Sequence, residues 1–102
     1  GDTKAFGPGI AMLLRHVDAL HSLRKAAAEM GMAYSKAWRI LRDCEGALGF
    51  PLLDSTTGGR HGGGAVLTAE AEALLSDYET FCRRLREEGD SLFSECFERW
   101  MN

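Results

Sequence analysis

No apolar run in the sequence approaches 18 residues, so no segment is built to cross a membrane as a helix. The first nine residues are polar, lack the apolar core of a secretion signal and open on Gly1 rather than methionine. There is no C-x-x-C pair. Cys44, Cys82 and Cys96 are odd in number and widely spaced, and are expected to be reduced thiols, packed as small hydrophobes in a cytosolic protein. His16 and His21 lie five residues apart, not four, and no cysteine or carboxylate completes a ligand set, so neither metal nor cofactor is expected. Gly58 and Gly63 have the spacing of a phosphate-cradling loop, but Gly64 and Ala65 follow where lysine and Ser/Thr are needed. There is no G-x-S-x-G, and no cysteine sits beside a base, so no enzyme is expected. Only two prolines occur, and no Pro- or Ser-rich linker divides the 102 residues, which suit one domain with little room for a buried catalytic cavity.

Excess positive charge is also missing, since the chain carries −3 overall. The distribution matters more than the total. Residues 1–64 hold eight Lys/Arg against six Asp/Glu, whereas residues 65–102 hold four against nine. A local basic face therefore survives in the first part of an acidic chain.

Hydrophobic spacing predicts a helix over 10–21, from Ile10, Leu13, Leu14, Val17 and Leu20. Ser22 is placed to cap a short second helix that buries Leu23, Ala26, Ala27 and Met30, with Gly31 after it. After the turn Gly31-Met32-Ala33, a third helix is expected from Tyr34 to Leu48. Its inner stripe is Tyr34, Ala37, Trp38, Leu41, Cys44 and Leu48; Ser35, Lys36, Arg39, Arg42 and Asp43 point elsewhere. Trp38 is expected in the core, with stacking on a base as the alternative. Tyr34 suits either the core or a contact of its hydroxyl with a phosphate.

Two short helices joined by a Gly-containing turn form a helix-turn-helix pattern, or else part of a plain three-helix bundle with a solvated face. Strands are expected at 50–56 and 65–68, around a loop in which five of eight residues are glycine, with Arg60 and His61 at its tip. A hairpin in that place is a wing. A fourth helix should run from Thr68 to Glu88 and stop at Gly89 and Asp90. A last amphipathic helix then carries Leu92, Phe93, Cys96, Phe97, Trp100 and Met101, folded back on the core or covered by a partner chain.

The segments Ser22-Leu23-Arg24-Lys25-Ala26-Ala27, Gly31-Met32-Ala33-Tyr34-Ser35-Lys36-Ala37-Trp38 and Thr57 to Thr68 resemble the N-terminal DNA-binding domain of ModE-type molybdate-responsive regulators. More distantly they resemble the LysR-type DNA-binding domain. The likeness covers about residues 8–82. It implies a mainly α fold with a small β-hairpin, a winged helix-turn-helix with a long C-terminal dimerisation helix. It implies Ser35, Lys36 and Arg39 as recognition-helix contacts, Ser22 and Arg24 as phosphate contacts, and Arg60 as the wing contact. Tyr34, Arg42 and His61 complete the expected DNA-binding set. The expected dimer interface is Leu74, Leu75, Tyr78, Phe81, Cys82, Leu85, Phe93, Phe97 and Trp100.

The expected divisions are an N-terminal arm at 1–9, a reading head at 10–68 with its wing at 51–68, and a dimerisation arm at 69–102. The 102 residues leave no room for the β-barrel modules that bind the oxyanion in that family, so no small-molecule ligand is expected. The function expected is a cytoplasmic, homodimeric, sequence-specific binder of double-stranded DNA that regulates transcription. The alternative is a protein-interaction module that pairs with another regulator; sensing of an oxyanion across the dimer interface ranks below both.

Overall fold

The computed structural model describes residues 6–56 and 64–101. Its elements run α1 (Pro8–Leu20), α2 (Leu23–Glu29), α3 (Tyr34–Leu48), β1 (Leu53–Thr56), β2 (Gly64–Leu67) and α4 (Ala69–Phe97), with a closing 3₁₀ turn at Glu98–Trp100. Four helices and one antiparallel hairpin make the winged helix-turn-helix expected from the sequence.

Local chemistry explains the boundaries. Pro8 opens α1, where its missing N–H costs nothing. His21 ends α1 in the left-handed region at φ 56°, its N–H donating to the Val17 carbonyl at 2.7 Å. Ser22 Oγ accepts the Lys25 N–H at 3.0 Å and starts α2 immediately, so the two helices meet at a sharp corner. Gly31 and Gly49, at φ 66° and 88°, turn the chain after α2 and α3.

Leu13, Leu14 and Val17 of α1 form the middle of the core. Ala26 and Ala27 of α2, Ala37, Leu41 and Cys44 of α3, Leu52, Leu67, and Ala71 and Leu75 of α4 pack around them. Small alanines on α2 and α3 let those helices approach closely, while leucines fill the centre. Burial pushes the Cys44 thiol above its ordinary value, and neighbouring Glu45 adds to the effect.

In the hairpin Leu53 pairs with Leu67 and Thr56 with Gly64. The first strand is shorter than the expected 50–56. Pro51 has no N–H to give a ladder, and the Leu52 N–H donates to Glu45 Oε2 at 2.8 Å instead. Thr68 then locks the hairpin base to α4. Its Oγ1 accepts from the Ala71 N–H at 3.0 Å and donates to the Pro51 carbonyl at 2.9 Å, and its N–H donates to the Leu52 carbonyl at 3.0 Å. Thr68 is buried, and these bonds satisfy it fully.

The expected break at Gly89 and Asp90 is absent. The fourth helix is one rod of 29 residues, about 43 Å long. A single mid-helix glycine weakens a helix by about 1 kcal/mol against alanine, less than the strong helix formers on either side restore. The rod also overturns the fold-back expected as one fate of the C-terminal stripe. From Arg83 to Met101 every residue is exposed, and the molecule extends over 63 × 27 × 24 Å. Its radius of gyration is 17.6 Å, against about 13 Å for a globular domain of this length.

Candidate nucleic-acid interface

The third helix has two outer faces with different neighbours. Its buried stripe is Ala37, Leu41 and Cys44, with Leu48 half-buried. Ser35 and Arg39 lie nearly opposite that stripe; Lys36 lies to one side and Arg42 to the other, at about 100° per residue. All four are exposed. None of their side chains is drawn inward, so this face is free to enter a groove.

Trp38 departs from expectation. It is 44% exposed rather than in the core. It lies about 100° round the helix from Ala37, on the side of the groove that the start of α2 and the two strands also line. Tyr34 is exposed on the same side. Between this flank of α3, the N-terminus of α2 and the hairpin runs an open groove of about 570 Å³. Ser22, Arg24, Tyr34, Trp38, Arg42, Glu45, Ser55 and Gly64 are among its lining residues.

Two guanidinium–aromatic stacks mark the groove. Arg24 Cζ lies 4.2 Å from the Tyr34 ring centroid, and Arg42 Cζ lies 4.5 Å from the Trp38 ring centroid. Arg42 Nη1 is also 3.7 Å from Glu45 Oε1, while the other oxygen of that carboxylate holds the Leu52 N–H. Four of the expected DNA-binding residues, Ser22, Arg24, Tyr34 and Arg42, thus line one surface, and Arg39 stands on the same helix as the last two. Ser35 and Lys36 stand on the same recognition helix. Arg60 and His61 lie outside the described residues. The Trp38–Arg42 stack and the contact of Arg42 with Glu45 were not foreseen, although an arginine four residues after a tryptophan is a spacing that brings the two together on a helix.

The expected interface residues on α4 divide by position. Leu75 belongs to the chain's own core and has no surface left for a partner. Leu74, Tyr78 and Cys82 are half-buried; Tyr78 packs edge-on against Phe6 at 5.2 Å between centroids. Phe81, Leu85, Phe93, Phe97 and Trp100 are exposed, with Phe93 and Phe97 stacked at 4.7 Å. Cys96 is exposed too, contrary to the expected burial of each cysteine, because no described element covers the outer half of the rod. A two-pronged bond fixes the root of α4 to α1: Arg15 Nε and Nη2 donate to Glu79 Oε2 and Oε1 at 2.7 and 2.5 Å. This partner holds the Glu79 carboxyl below the usual carboxylate range.

Two helices joined by the Gly31 turn, an outward polar face on the second of them and a hairpin beside it define the class: a winged helix-turn-helix domain of the kind regulators carry. No described helix is long and apolar enough to cross a membrane. Residues 11–72 match the bacterial regulatory helix-turn-helix proteins of the lysR family, and the chain belongs to that family. It is 32% identical over 90 residues to the molybdenum-pterin-binding protein MopB of Rhodobacter capsulatus, covering 88% of this chain and 32% of that protein. It is 36% identical over 72 residues to the transcriptional regulator ModE of Haemophilus influenzae, covering 71% and 28%. It is 33% identical over 67 residues to the DNA-binding transcriptional dual regulator ModE of Escherichia coli K12, covering 66% and 26%. The chain thus spans between a quarter and a third of the length of these curated relatives.

Proposed function

We propose that the chain is the DNA-binding part of a cytoplasmic, homodimeric transcription regulator that recognises a specific double-stranded sequence without catalysis. The observation that carries this reading is the outward face of α3, with Ser35, Lys36 and Arg39 unencumbered and the Arg24 and Arg42 guanidiniums beside it. Lysine and arginine there reach guanine edges or phosphates, and serine serves either a base or a phosphate. The reading head is residues 10–68 with its wing at 51–68. Residues 69–102 form the arm that meets a second copy, and Arg60 and His61 of the wing tip contact the DNA backbone. The named relatives that regulate transcription support the same reading.

A second copy is the occupant that best suits the bare face of α4. Tyr78, Cys82, Leu85, Gly89, Leu92 and Cys96 recur in alternating steps of four and three, the seam of a helix pair. Parallel pairing would set Arg83, Arg84 and Arg86 against their own copies. Antiparallel pairing about Gly89 sets Cys82 against Cys96 of the second copy and moves each arginine away from its own counterpart. Two recognition helices related in this way would read a palindromic or pseudo-palindromic site.

The test is a fluorescence-anisotropy titration of a duplex from upstream of the protein's own gene against a shuffled duplex, at two salt concentrations. Preference for the upstream duplex, weakening steeply with salt, is expected. Loss of that preference in Lys36→Ala/Arg39→Ala is expected as well. Salt-insensitive association with a protein partner, and none with DNA, would favour the alternative of an interaction module, which the apolar outer half of α4 also suits.

A further inference from the structure

We infer that Tyr34 and Trp38 are positioning residues whose rings hold the Arg24 and Arg42 guanidiniums toward two DNA phosphates across the groove between α3 and the hairpin, with Glu45 tying Arg42 to the hairpin root. The inference rests on the DNA-binding reading above and names how its backbone contacts are built. A free arginine loses much of its rotamer freedom when it grips a phosphate. A guanidinium already stacked on a ring has lost part of that freedom beforehand. Both stacks have the geometry for this, at 4.2 and 4.5 Å from the ring centroids. The two rings come from one helix, four residues apart, so they stand one turn from each other on the same flank. The arginines come from different elements, α2 and α3, and both line the groove.

Glu45 makes the second stack more than a surface contact. One carboxylate oxygen faces Arg42 at 3.7 Å and the other accepts the Leu52 N–H at 2.8 Å, just before β1. Arg42, Glu45 and Leu52 thereby link the recognition helix to the root of the wing. An exposed tryptophan ring on a DNA-facing flank also invites a direct base contact. The stack with Arg42 separates the two ideas: a positioning ring acts only while the arginine is present.

The experiment is a double-mutant cycle on duplex affinity, read at four salt concentrations on the upstream and shuffled duplexes, with thermal unfolding as the check on folding. The variants are Trp38→Leu, Trp38→Phe, Arg42→Ala and Trp38→Leu/Arg42→Ala, with Tyr34→Leu and Arg24→Ala as the parallel set. Arg42→Ala is expected to weaken both duplexes equally and to reduce the salt slope by about one. Trp38→Leu should weaken binding roughly two- to fivefold, the strength of an exposed cation–π contact. Trp38→Phe should recover most of that loss, and Trp38→Leu should add nothing once Arg42 is gone. An equal effect of Trp38→Leu with and without Arg42, or an effect confined to the upstream duplex, would overturn the inference in favour of base contact. Unchanged affinity and slope in Arg42→Ala, with the parent protein binding normally, would overturn it while leaving the proposed function intact. Failure of the parent protein to bind either duplex would instead refute the proposed function.

Discussion

Replacing Gly64 with alanine tests how the hairpin is seated on the helices. A Cβ at residue 64 would lie 2.6 Å from the His21 carbonyl oxygen and 3.0 Å from Thr56 Oγ1. The first neighbour is backbone at the α1–α2 corner and cannot swing away as a flexible side chain would. The same carbonyl accepts the Ala65 N–H at 3.0 Å, so relieving the clash stretches a hydrogen bond that holds β2 to the corner. Forcing an extra methyl into such a space costs about 1–3 kcal/mol, and weakening the bond adds up to about 1 kcal/mol. Alanine's lower unfolded-state entropy returns about 0.5–1 kcal/mol. The net expectation is a loss of about 1–3 kcal/mol. At roughly 4–8 °C per kcal/mol for a domain of this size, Tm should fall by about 5–20 °C. Urea denaturation followed by circular dichroism at 222 nm measures the loss, with an unchanged m-value showing that the unfolded surface is the same. Gly89→Ala is the matched control: nothing lies within 4 Å of its added Cβ, and the helix should gain about 0.5–1 kcal/mol. A Gly64→Ala protein as stable as its parent would refute the reasoning, and with it the close seating of the hairpin on His21.

Thr68→Ala removes the cap of α4 and the hydroxyl bond to Pro51 from a buried site, so a loss of about 1–2 kcal/mol is expected in the same denaturation assay. The Glu79 carboxyl is held below its ordinary value by Arg15, so this contact contributes fully above the usual carboxylate range and disappears as pH falls through the lowered value. Glu79→Gln should therefore flatten the acid limb of the stability–pH curve while leaving its shape unchanged above neutrality. Thiol labelling of the native protein should spare Cys44, which is buried and has a raised thiol value, until the chain is unfolded, whereas Cys96, exposed on the single chain, should label quickly once the proposed seam is opened by Leu85→Glu. Leu85→Glu places a charge in the centre of the proposed α4 seam; a shift to monomer in sedimentation equilibrium is expected, with the melting of the head little changed.

The outline of the head was legible residue by residue. Ser22 and Thr68 are capping residues that act within three positions of themselves, and α3 spans Tyr34–Leu48 as its apolar spacing implies, because such signals are local. Gly89 weakens the helix without ending it, because its cost is small beside the propensity of its neighbours in a 29-residue helix. Trp38 departs from expectation for a different reason. An aromatic residue at the edge of an apolar stripe is buried only if some element reaches over it, and among the described residues none does.

The sequence alone therefore determined the first three helices, the Ser22 and Thr68 caps, the hairpin after α3 and the class of regulator, since each follows from spacing or turn chemistry within a few residues. Tertiary structure alone decided that the Trp38 edge of α3 lies bare, that Arg24 meets Tyr34 and Glu45 meets the Leu52 N–H, and that Leu75 belongs to the core while Leu85 stands in the open. Those outcomes depend on how far neighbouring elements extend, and periodicity along one chain segment carries no measure of that reach.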